Sequence, residues 1–509
     1  MNILDRIANR FGYQKLAEAQ QKPEQKQQKR SLSRSMSGGF KGGDTGRLFA
    51  DWSVANVSLN EFIRRDLLKC RVRSRDLCIN DDYGKKFIGL CERNIVGPNG
   101  IALSMDIKAE DETRDRKACV EVEDPWKEWC EDCTVTGDMT WIDVQNLIAT
   151  TTPQDGEYVV RIVRGYPNKS GFALQLIPAE ALDEEKFDNL PNGHTIRMGV
   201  ERDQWKRRVA YWIRVNDPTD FYWGGQTYSS TRIPAEEIIH DFARMGINQV
   251  RGFPWFHASM VGLKHLGAYQ EAALVAARAG AGKMGFYKRM PDAAGNYSGD
   301  GEDAEGNILQ DMEPGALEVL PTGYEMQFND PAYPHSDHGP FVQAVLMGVS
   351  AGLGVSYTSL SGNLSAVNYS SIRAGLLDER DMWMGAQGWY IRHLHKPVFR
   401  PWLEMQLLTR TIRRPEAQFD YLNKPRWNGR RWAWVDPEKD VTATIMAIES
   451  GLFTRSKALR DSGVGDLEDV FRELEHEEEL ADKKNLNFSR HTEAELAAAA
   501  NPRGRSSPE

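Results

Sequence analysis

The stretch FVQAVLMGVSAGLGVSYTSLSGNLSAVNYSSIRAG occupies residues 341–375. It begins with an apolar helical pattern, breaks at Gly352-Leu353-Gly354, and resumes a helical pattern at Tyr369. The polar loop between the two predicted helices, residues 355–368, has no charged side chain, although 27% of the chain is charged. Cations that neutralise phosphates create strong, salt-dependent affinity, so an uncharged surface suits a polyanion that passes close by without being held.

Composition narrows the classes of protein that this chain can belong to. A length of 509 residues exceeds a single compact core, so several domains are expected. The formal net charge of -9 excludes, by bulk charge, a protein that grips nucleic acid over its whole surface. No run approaches the ~18 apolar residues of a membrane span, and the N-terminus lacks the apolar core of a signal peptide. We therefore predict no membrane partner.

The six cysteines are typical of a reducing compartment without a disulfide framework. Cys130 and Cys133 form a CxxC pair, but a zinc site requires further close ligands and the other cysteines are scattered singly. The pair is interpreted as ordinary thiols, with zinc as the alternative.

Periodicity divides the rest of the chain into helical and strand-like parts. Helices are predicted over residues 58–97, 126–133, 141–151, 251–288, 339–354, 369–396, 436–461 and 466–480. Strands are predicted over 156–163, 172–177, 195–200 and 209–215, and a hairpin over 316–320 and 324–328. Pro397 and Pro401 are expected to kink or end the helix before them. The pattern predicts an α+β protein.

No catalytic motif is present. There is neither a GxxxxGK[ST] phosphate-binding loop nor a GxSxG nucleophile elbow. Ser336, Asp337 and His338 are triad residue types, but sequence neighbours cannot hold triad geometry. We predict no catalytic, cofactor or metal site, and hence no enzyme.

Two basic stretches leave alternatives open. The cations between Arg64 and Arg75 are interpreted as a solvated face or a subunit interface, with nucleic-acid contact as the alternative. The aromatic and basic residues 426–434 are interpreted as a buried anchor at a domain junction, with base stacking as the alternative.

Three motifs together resemble one family. Residues 351–375 read AGLGVSYTSLSGNLSAVNYSSIRAG, which contains GLGVSYxxL, a short polar loop, then YSSxRA. Arg251-Gly252 precedes a predicted amphipathic helix over 256–269, and the segments WAWVDPEK at 432–439 and IESGL at 448–452 complete the set. This combination resembles the lambda-like bacteriophage portal proteins over roughly residues 45 to 480.

The resemblance implies an order of parts within a portal-type, ring-forming protomer. These are a flexible arm (1–46), an α+β wing (47–248), a first stem helix (249–288), a clip (289–334), a second stem helix (335–354), a channel loop (355–368), a long wing helix with its connection (369–425), a helical crown (426–480) and a disordered tail (481–509).

The resemblance also implies a function. It implies a homo-oligomeric ring, usually a dodecamer, at one capsid vertex of the virion, assembled in the host cytoplasm, through which double-stranded DNA is packaged and ejected. The implied partners are the terminase large subunit, a head completion or connector protein, and the major capsid or scaffolding protein.

The residues that we expect to face the DNA channel are the uncharged polar positions of the loop: Ser356, Tyr357, Thr358, Ser359, Ser361, Gly362, Asn363, Ser365 and Asn368. Two other classes remain as alternatives, a metal-dependent nucleic-acid-processing enzyme and a non-conducting capsid or adaptor protein.

Overall fold

The computed structural model describes residues 55–110, 113–214, 229–281, 285–289, 301–302, 308–309, 324–328, 337–365, 369–432, 437–462 and 467–484. The predicted arm and most of the predicted clip and tail lie outside these residues. The chain divides into two units, Met1–Ser58 and Leu59–Glu509, and every helix and strand below belongs to the second.

The α-helices of this unit are α1 Leu59–Asn80, α2 Asp82–Cys91, α3 Arg116–Glu131, α4 Trp141–Asp155, α5 Met260–Ala281, α6 His338–Leu353, α7 Tyr357–Ser361, α8 Tyr369–Tyr390, α9 Lys396–Leu408, α10 Phe419–Leu422, α11 Pro437–Glu449, α12 Arg455–Ser462 and α13 Leu467–Lys483. The strands are β1 Ala102–Met105, β2 Tyr158–Arg164, β3 Phe172–Ile177, β4 Asp188–Asn189, β5 Thr195–Arg197, β6 Val200–Arg202, β7 Arg208–Arg214, β8 Ser230–Pro234, β9 Ile238–Asp241, β10 Gly285–Arg289, β11 Gly301–Glu302, β12 Ile308–Leu309, β13 Tyr324–Phe328 and β14 Pro425–Asn428. The predicted mixture of helix and sheet is confirmed.

Two antiparallel sheets form the body between α4 and α5. One has the strand order β3-β2-β9 and the other the order β4-β5-β6-β7-β8. β2 is the central strand of its sheet, with β3 and β9 paired on its two edges, and four of its seven residues are buried. A separate ladder joins β1 to β14, which brings residues near 103 and 427 together.

An aromatic core joins the helices α3, α4 and α9 to β14. The ring of Trp126 lies 4.9 Å from that of Trp402, 5.5 Å from Phe399 and 5.8 Å from Trp427, measured between centroids. Such pairs add ~0.5–1.5 kcal/mol each beyond the burial of apolar area. Trp427 is therefore packed against the core, which confirms the interpretation of this part of the 426–434 stretch as an anchor.

The two predicted stem helices are α5 and α6, and they run antiparallel. Ser259, just before α5, donates its hydroxyl to the carbonyl of Val349 at 3.1 Å. Further along, Tyr269 lies with its ring 4.9 Å from that of Phe341. A Cβ on Gly262 would lie only 3.2 Å from Val349, so the small residue lets the helices approach closely.

The first stem helix is shorter than predicted. The chain forms a 3₁₀ turn at Trp255–Ala258 and helix α5 ends at Ala281, while Gly285–Arg289 is a strand. This strand pairs antiparallel with Tyr324–Phe328, so the predicted helix over 285–288 is wrong. The strand at 324–328 is confirmed, but its described partner is β10; residues 316–320 lie outside the described part. A partner about forty positions away in sequence decided the conformation.

Pro397 and Pro401 do not end the long helix. It continues to Leu408, and the disturbance takes the form of a π-helical turn, Ile391–His395, directly before Pro397. A proline lacks the N–H that would bond the carbonyl four residues earlier. For Pro397 that carbonyl belongs to His393, and it accepts a hydrogen bond from the hydroxyl of Tyr158 at 2.8 Å. A tertiary contact thus satisfies the group that the proline leaves free.

Helices occupy the predicted crown, with one difference. α11 begins at Pro437 as predicted, but it ends at Glu449, and a new helix begins at Arg455. Gly451 lies between them with a left-handed φ of 75°. Among the described helices of the whole chain, none has the length and apolar character that crossing a bilayer requires.

Candidate channel segment and its anchoring carboxylates

The candidate channel segment, residues 355–368, begins where α6 ends. Gly354 has a left-handed φ of 73° and turns the chain, and Val355 is buried. Ser356 then caps the one-turn helix α7 by accepting a hydrogen bond from the backbone N–H of Ser359 at 3.2 Å. The segment predicted as a loop therefore contains a helical turn, because Ser356 supplies a hydroxyl cap.

Glu379, on α8, anchors this turn. Its Oε2 accepts hydrogen bonds from the hydroxyls of Ser356 at 2.6 Å and Ser359 at 2.7 Å. Its Oε1 accepts a hydrogen bond from the indole N–H of Trp383 at 3.1 Å. Only 7% of Glu379 is exposed, so three neutral donors replace its water. We call Glu379 with these three donors the Glu379 anchor.

The outer part of the segment is exposed and bonds to itself. The carboxamide oxygen of Asn363 accepts hydrogen bonds from the backbone N–H of Ser365 at 3.0 Å and from its hydroxyl at 2.6 Å. The hydroxyl of Ser361 donates to the carbonyl of Tyr357 at 2.7 Å. These bonds hold the tip in a defined shape without any charged group.

The predicted channel residues thus divide into two sets. The half-buried ones are Ser356, Tyr357, Thr358, Ser359 and Ser361, and the exposed ones are Gly362, Asn363 and Ser365. Asn368 lies outside the described residues.

Sequence reasoning missed Glu379 and Gln387, which are both buried on the apolar face of α8. Gln387 donates from its side chain to the backbone carbonyls of Asn94 at 3.0 Å and Arg430 at 3.1 Å. The signal was available: both positions continue the helical spacing of Leu376, Trp383 and Tyr390 but carry polar side chains. A polar residue on a buried helical face requires a partner, and here, apart from Trp383 on α8 itself, the partners come from distant segments.

A second buried carboxylate, Glu157, lies where the two sheets meet α1. Its oxygens lie 2.5 Å from Nη2 of Arg251, 3.0 Å from Nη2 of Arg71 and 3.0 Å from Nε2 of His240. The backbone N–H of Gly252 donates to it at 2.7 Å. We call these five residues the Glu157 cluster. It joins α1, β2 and β9 to the residues that lead into the first stem helix.

The protonation states in this cluster follow from burial and from the neighbouring charges. Burial alone would raise the pKa of Glu157, but the charge of Arg251 and the contacts of His240 and Arg251 hold that pKa well below its usual range. Burial lowers the pKa of His240 to about 4, against the attraction of Glu157. At neutral pH the cluster is therefore a carboxylate between two guanidinium groups and a neutral imidazole.

Close backbone packing explains the glycine of the Arg-Gly pair. A Cβ on Gly252 would lie 2.1 Å from the carbonyl oxygen of Gly156, and a Cβ on Gly156 would lie 2.3 Å from the backbone of Phe253. Gly156 also has a φ of 90°. The two stretches of backbone touch here, which places Arg251 against Glu157.

The cations of α1 are largely matched by acids. Arg75 lies 2.7 Å from Asp155 and 2.6 Å from Glu180, and Arg71 is part of the Glu157 cluster. Exposed Arg65 pairs with Asp66 at 2.7 Å. This pairing does not favour the alternative in which α1 contacts nucleic acid.

The CxxC pair has the properties of buried thiols. Burial raises the pKa of Cys133 to about 12, and it likewise raises that of Cys130. A cysteine binds zinc as the thiolate, so an environment that raises the pKa of both thiols does not favour a metal site. In the described part of the chain, no group of three or more His, Cys, Asp or Glu is placed to hold a metal ion.

Comparisons with known proteins agree on one family. The family model described as phage portal protein, lambda family, matches residues 45–387. A probable portal protein of Halomonas phage phiHAP-1 is 35% identical over 418 residues, which cover 81% of this chain and 80% of that one. Portal protein B of Escherichia phage lambda is 24% identical over 474 residues, covering 84% of this chain and 86% of the relative.

Among solved structures, a chain in the neck of an empty GTA particle covers 83% of this chain and 99% of its own length, with 13% identity and a TM-score of 0.42. A chain from the neck of the native GTA particle gives 12% identity and a TM-score of 0.43 over the same shares. The sequence matches decide the assignment: the family model spans well over half of the chain, and the chain belongs to the lambda family of phage portal proteins.

Proposed function

We propose that copies of this chain close into a ring at one capsid vertex and conduct double-stranded DNA during packaging and ejection. Family membership supports the proposal, and the geometry of the candidate channel segment carries it. The exposed tip, Gly362 to Ser365, has no charged side chain, while the inner turn is held to the long helix α8 by Glu379. A fixed base with an uncharged tip suits a surface over which a polyanion moves.

The uncharged tip has a physical advantage in a ring. Each cation that neutralises a DNA phosphate contributes salt-dependent affinity, and a ring multiplies that contribution by the number of subunits. Neutral hydroxyl and amide groups can still hydrogen-bond to phosphates and water, but each such bond is weak and readily exchanged. The segment would therefore surround the duplex without stalling it.

Apolar side chains on the stem helices supply a surface for the neighbouring copy. The exposed ones are Val261, Leu274 and Val275 on α5, and Phe341 and Met347 on α6. Large exposed apolar residues on adjacent helices are typical of a protein interface. In a closed ring, one face of each protomer meets a different face of the next, so both sides of the stem contribute.

The remaining parts of the proposal follow the family's order of elements. The ring has twelve subunits, the clip at 289–334 faces the terminase large subunit and later the head completion or connector protein, and the crown at 426–480 projects into the capsid. Contact with the major capsid or scaffolding protein occurs during assembly in the host cytoplasm. The protein acts in the virion as a structural channel rather than as an enzyme.

The test is the mass and image of the purified full-length protein. We expect a native mass of about twelve subunits and rings with a central hole in negatively stained images. A monomer would contradict the proposal. Closed shells or sheets would favour the capsid or adaptor alternative, and metal-dependent cleavage of DNA without rings would favour the enzyme alternative.

A further inference from the structure

A pocket of about 240 Å³ lies beside the Glu379 anchor, where the long helix α8 meets the end of α2 and the residues that follow β14. Its polar lining includes Arg93, Asn94, Ser359, Glu379, Arg380 and Arg430. Trp432 completes one wall. We call it the arginine pocket. It contains Arg430, one of the basic residues of the 426–434 stretch.

Two of these arginines have charge that the described part of the chain does not neutralise. Arg93 donates from Nε to the backbone carbonyl of Gly89 at 2.8 Å. Arg430 donates to the carbonyl of Arg93 and to the side-chain oxygen of Asn94, the latter at 3.1 Å. All of these acceptors are neutral, and no described carboxylate lies within ion-pair distance of Arg93 or Arg430.

The carboxylate that lines the pocket, that of Glu379, already accepts hydrogen bonds from other groups. Both oxygens of Glu379 accept hydrogen bonds from the neutral donors of the Glu379 anchor. The pocket therefore has two guanidinium groups, those of Arg93 and Arg430, that lack an ion pair among the described residues, beside a carboxylate whose hydrogen-bonding capacity is largely used. Burial, together with the charges of Arg93 and Arg380, lowers the pKa of Arg430. Such mutual repulsion is relieved by an anion.

Arg430 is held in place before any ligand arrives. Its guanidinium carbon lies 5.7 Å from the ring centroid of Trp432. The indole N–H of Trp432 donates to the side-chain oxygen of Asn94 at 3.1 Å, the same atom that Arg430 contacts. The backbone carbonyl of Arg430 accepts from Gln387. A fixed guanidinium loses little entropy on binding, so it favours affinity for an oxyanion.

We propose that the arginine pocket binds a phosphodiester group of the duplex DNA backbone. Guanidinium groups match the oxygens of a phosphate with paired N–H donors, and they remain charged at every relevant pH. The inference rests on the proposed function, since a DNA channel brings phosphates to this part of the protomer. Arg71 and Arg75 of α1, by contrast, are paired with acids.

The site differs in purpose from the uncharged tip. Ser359 lines the pocket and also donates to Glu379, so the phosphate site adjoins the base of the candidate channel segment. A phosphate bound there holds DNA at the protomer, whereas the tip lets DNA pass.

The test uses the assembled full-length protein and a fluorescent duplex of ~20 base pairs, with anisotropy measured between ~50 and ~200 mM NaCl. We expect Arg93→Gln to weaken binding ~5- to 10-fold at the lower salt. The slope of log K against log salt should also fall by about 1 for each phosphate that the arginine no longer neutralises. Two duplexes of unrelated sequence should be weakened equally, because phosphate contacts carry no sequence information.

Matched variants sharpen the test. Arg413→Gln removes an exposed arginine outside the pocket and should leave both affinity and slope unchanged. Arg430→Lys keeps the charge but removes the planar N–H fork, so we expect a smaller decrease in affinity with the slope retained. Arg93 is exposed, its side chain donates to the carbonyl of Gly89, and its contact with Arg430 is made by its backbone, so Arg93→Gln should preserve the fold.

Inorganic phosphate, compared with chloride at equal ionic strength, distinguishes the source of the ligand. If phosphate competes with the duplex for the wild type but not for Arg93→Gln, the result supports the site. Phosphate binding with an unchanged duplex slope would overturn the assignment to DNA, as would identical DNA binding by wild type and Arg93→Gln.

Rings that dissociate in Arg93→Gln would show that a carboxylate of the neighbouring copy fills the pocket, which also overturns the inference. Absence of rings in the wild type would instead contradict the proposed function.

Discussion

Glu157 and Glu379 are both buried carboxylates that join distant segments, but their surroundings differ. Glu157 lies between the guanidinium groups of Arg71 and Arg251, with a backbone N–H completing its bonds. Glu379 has only neutral donors, two hydroxyls and an indole. The charge of Glu157 is neutralised by opposite charges, whereas the charge of Glu379 is stabilised by the dipoles of neutral donors.

The difference bears on how strongly each site resists disruption. Removing one member of a buried ion pair leaves an uncompensated charge and costs ~3–5 kcal/mol, whereas one hydrogen bond from a neutral donor to a carboxylate contributes ~1.5–3 kcal/mol. The ion pairs of the Glu157 cluster are therefore expected to resist disruption more strongly than any single bond of the Glu379 anchor. The Glu379 anchor holds the candidate channel segment by three separate hydrogen bonds.

The largest effect is expected for Glu157→Gln. This change removes the negative charge between Arg71 and Arg251, so the free energy of unfolding should fall by ~3–5 kcal/mol. Urea denaturation followed by tryptophan fluorescence measures it. Glu185→Gln, at an exposed position, is the control and should change stability by less than ~0.5 kcal/mol. Equal free energies of unfolding for the two variants would show that the ion pairs of the Glu157 cluster do not stabilise the fold.

Acidification should weaken the Glu157 cluster through its imidazole, His240. The pKa of His240 is lowered to about 4 in the fold from its ordinary 6.5, so the unfolded chain binds more protons between these pH values. The contribution of His240 to the free energy of unfolding is complete above pH ~6.5. It falls by about 1 kcal/mol per pH unit as the pH drops towards 4. His395, whose pKa burial lowers to about 3, adds to the same trend.

The measurement is the urea midpoint of the wild type and of His240→Gln between pH 7 and 4. The variant should show a shallower dependence, because one of the two buried imidazoles is gone. Parallel curves would contradict the assignment of the pH dependence to His240.

A smaller effect is expected for Glu379→Gln. Glutamine has one acceptor oxygen in place of two, so at least one of the three donors is left without its partner, at a cost of about 1–2 kcal/mol. Hydrogen exchange should increase in the backbone of α7, Tyr357–Ser361, while that of β2 stays unchanged. Asp381→Asn, on the same helix but exposed, should leave α7 protected. Uniform exchange across all variants would contradict the anchor.

Asn363→Lys or Ser361→Lys should have the smallest effect on stability. Either change should nevertheless affect function. The exposed tip should fold and the ring should assemble, because Asn363 has no buried contact. An added cation per subunit should slow DNA packaging in vitro, and more at low salt than at high salt. Asn363→Gln is the neutral control. Packaging rates of the lysine variants that match this control at every salt concentration would refute the role of the tip.

The local elements were largely predictable. Alternating apolar residues identified β2 and β3, and helical spacing identified α1, α4 and α6. The errors occurred where a distant partner acts. Gly285–Arg289 has helical neighbours in sequence but pairs with β13, and Pro397 is tolerated because Tyr158 bonds the free carbonyl. Glu379 was overlooked because its donors lie twenty or more positions earlier in the chain, apart from Trp383.

The sequence by itself determined the family, the mixed α+β content and the uncharged character of residues 355–368, because motifs, periodicity and side-chain charge are local properties of a chain. Only the tertiary structure decided which charges are neutralised: it buried Arg71 and Arg251 against Glu157, tied the base of the channel segment to Glu379, and left Arg93 and Arg430 without an acidic partner among the described residues. The physical reason is that the energy of a charge depends on its solvent and its neighbours, and neither exists until distant segments meet.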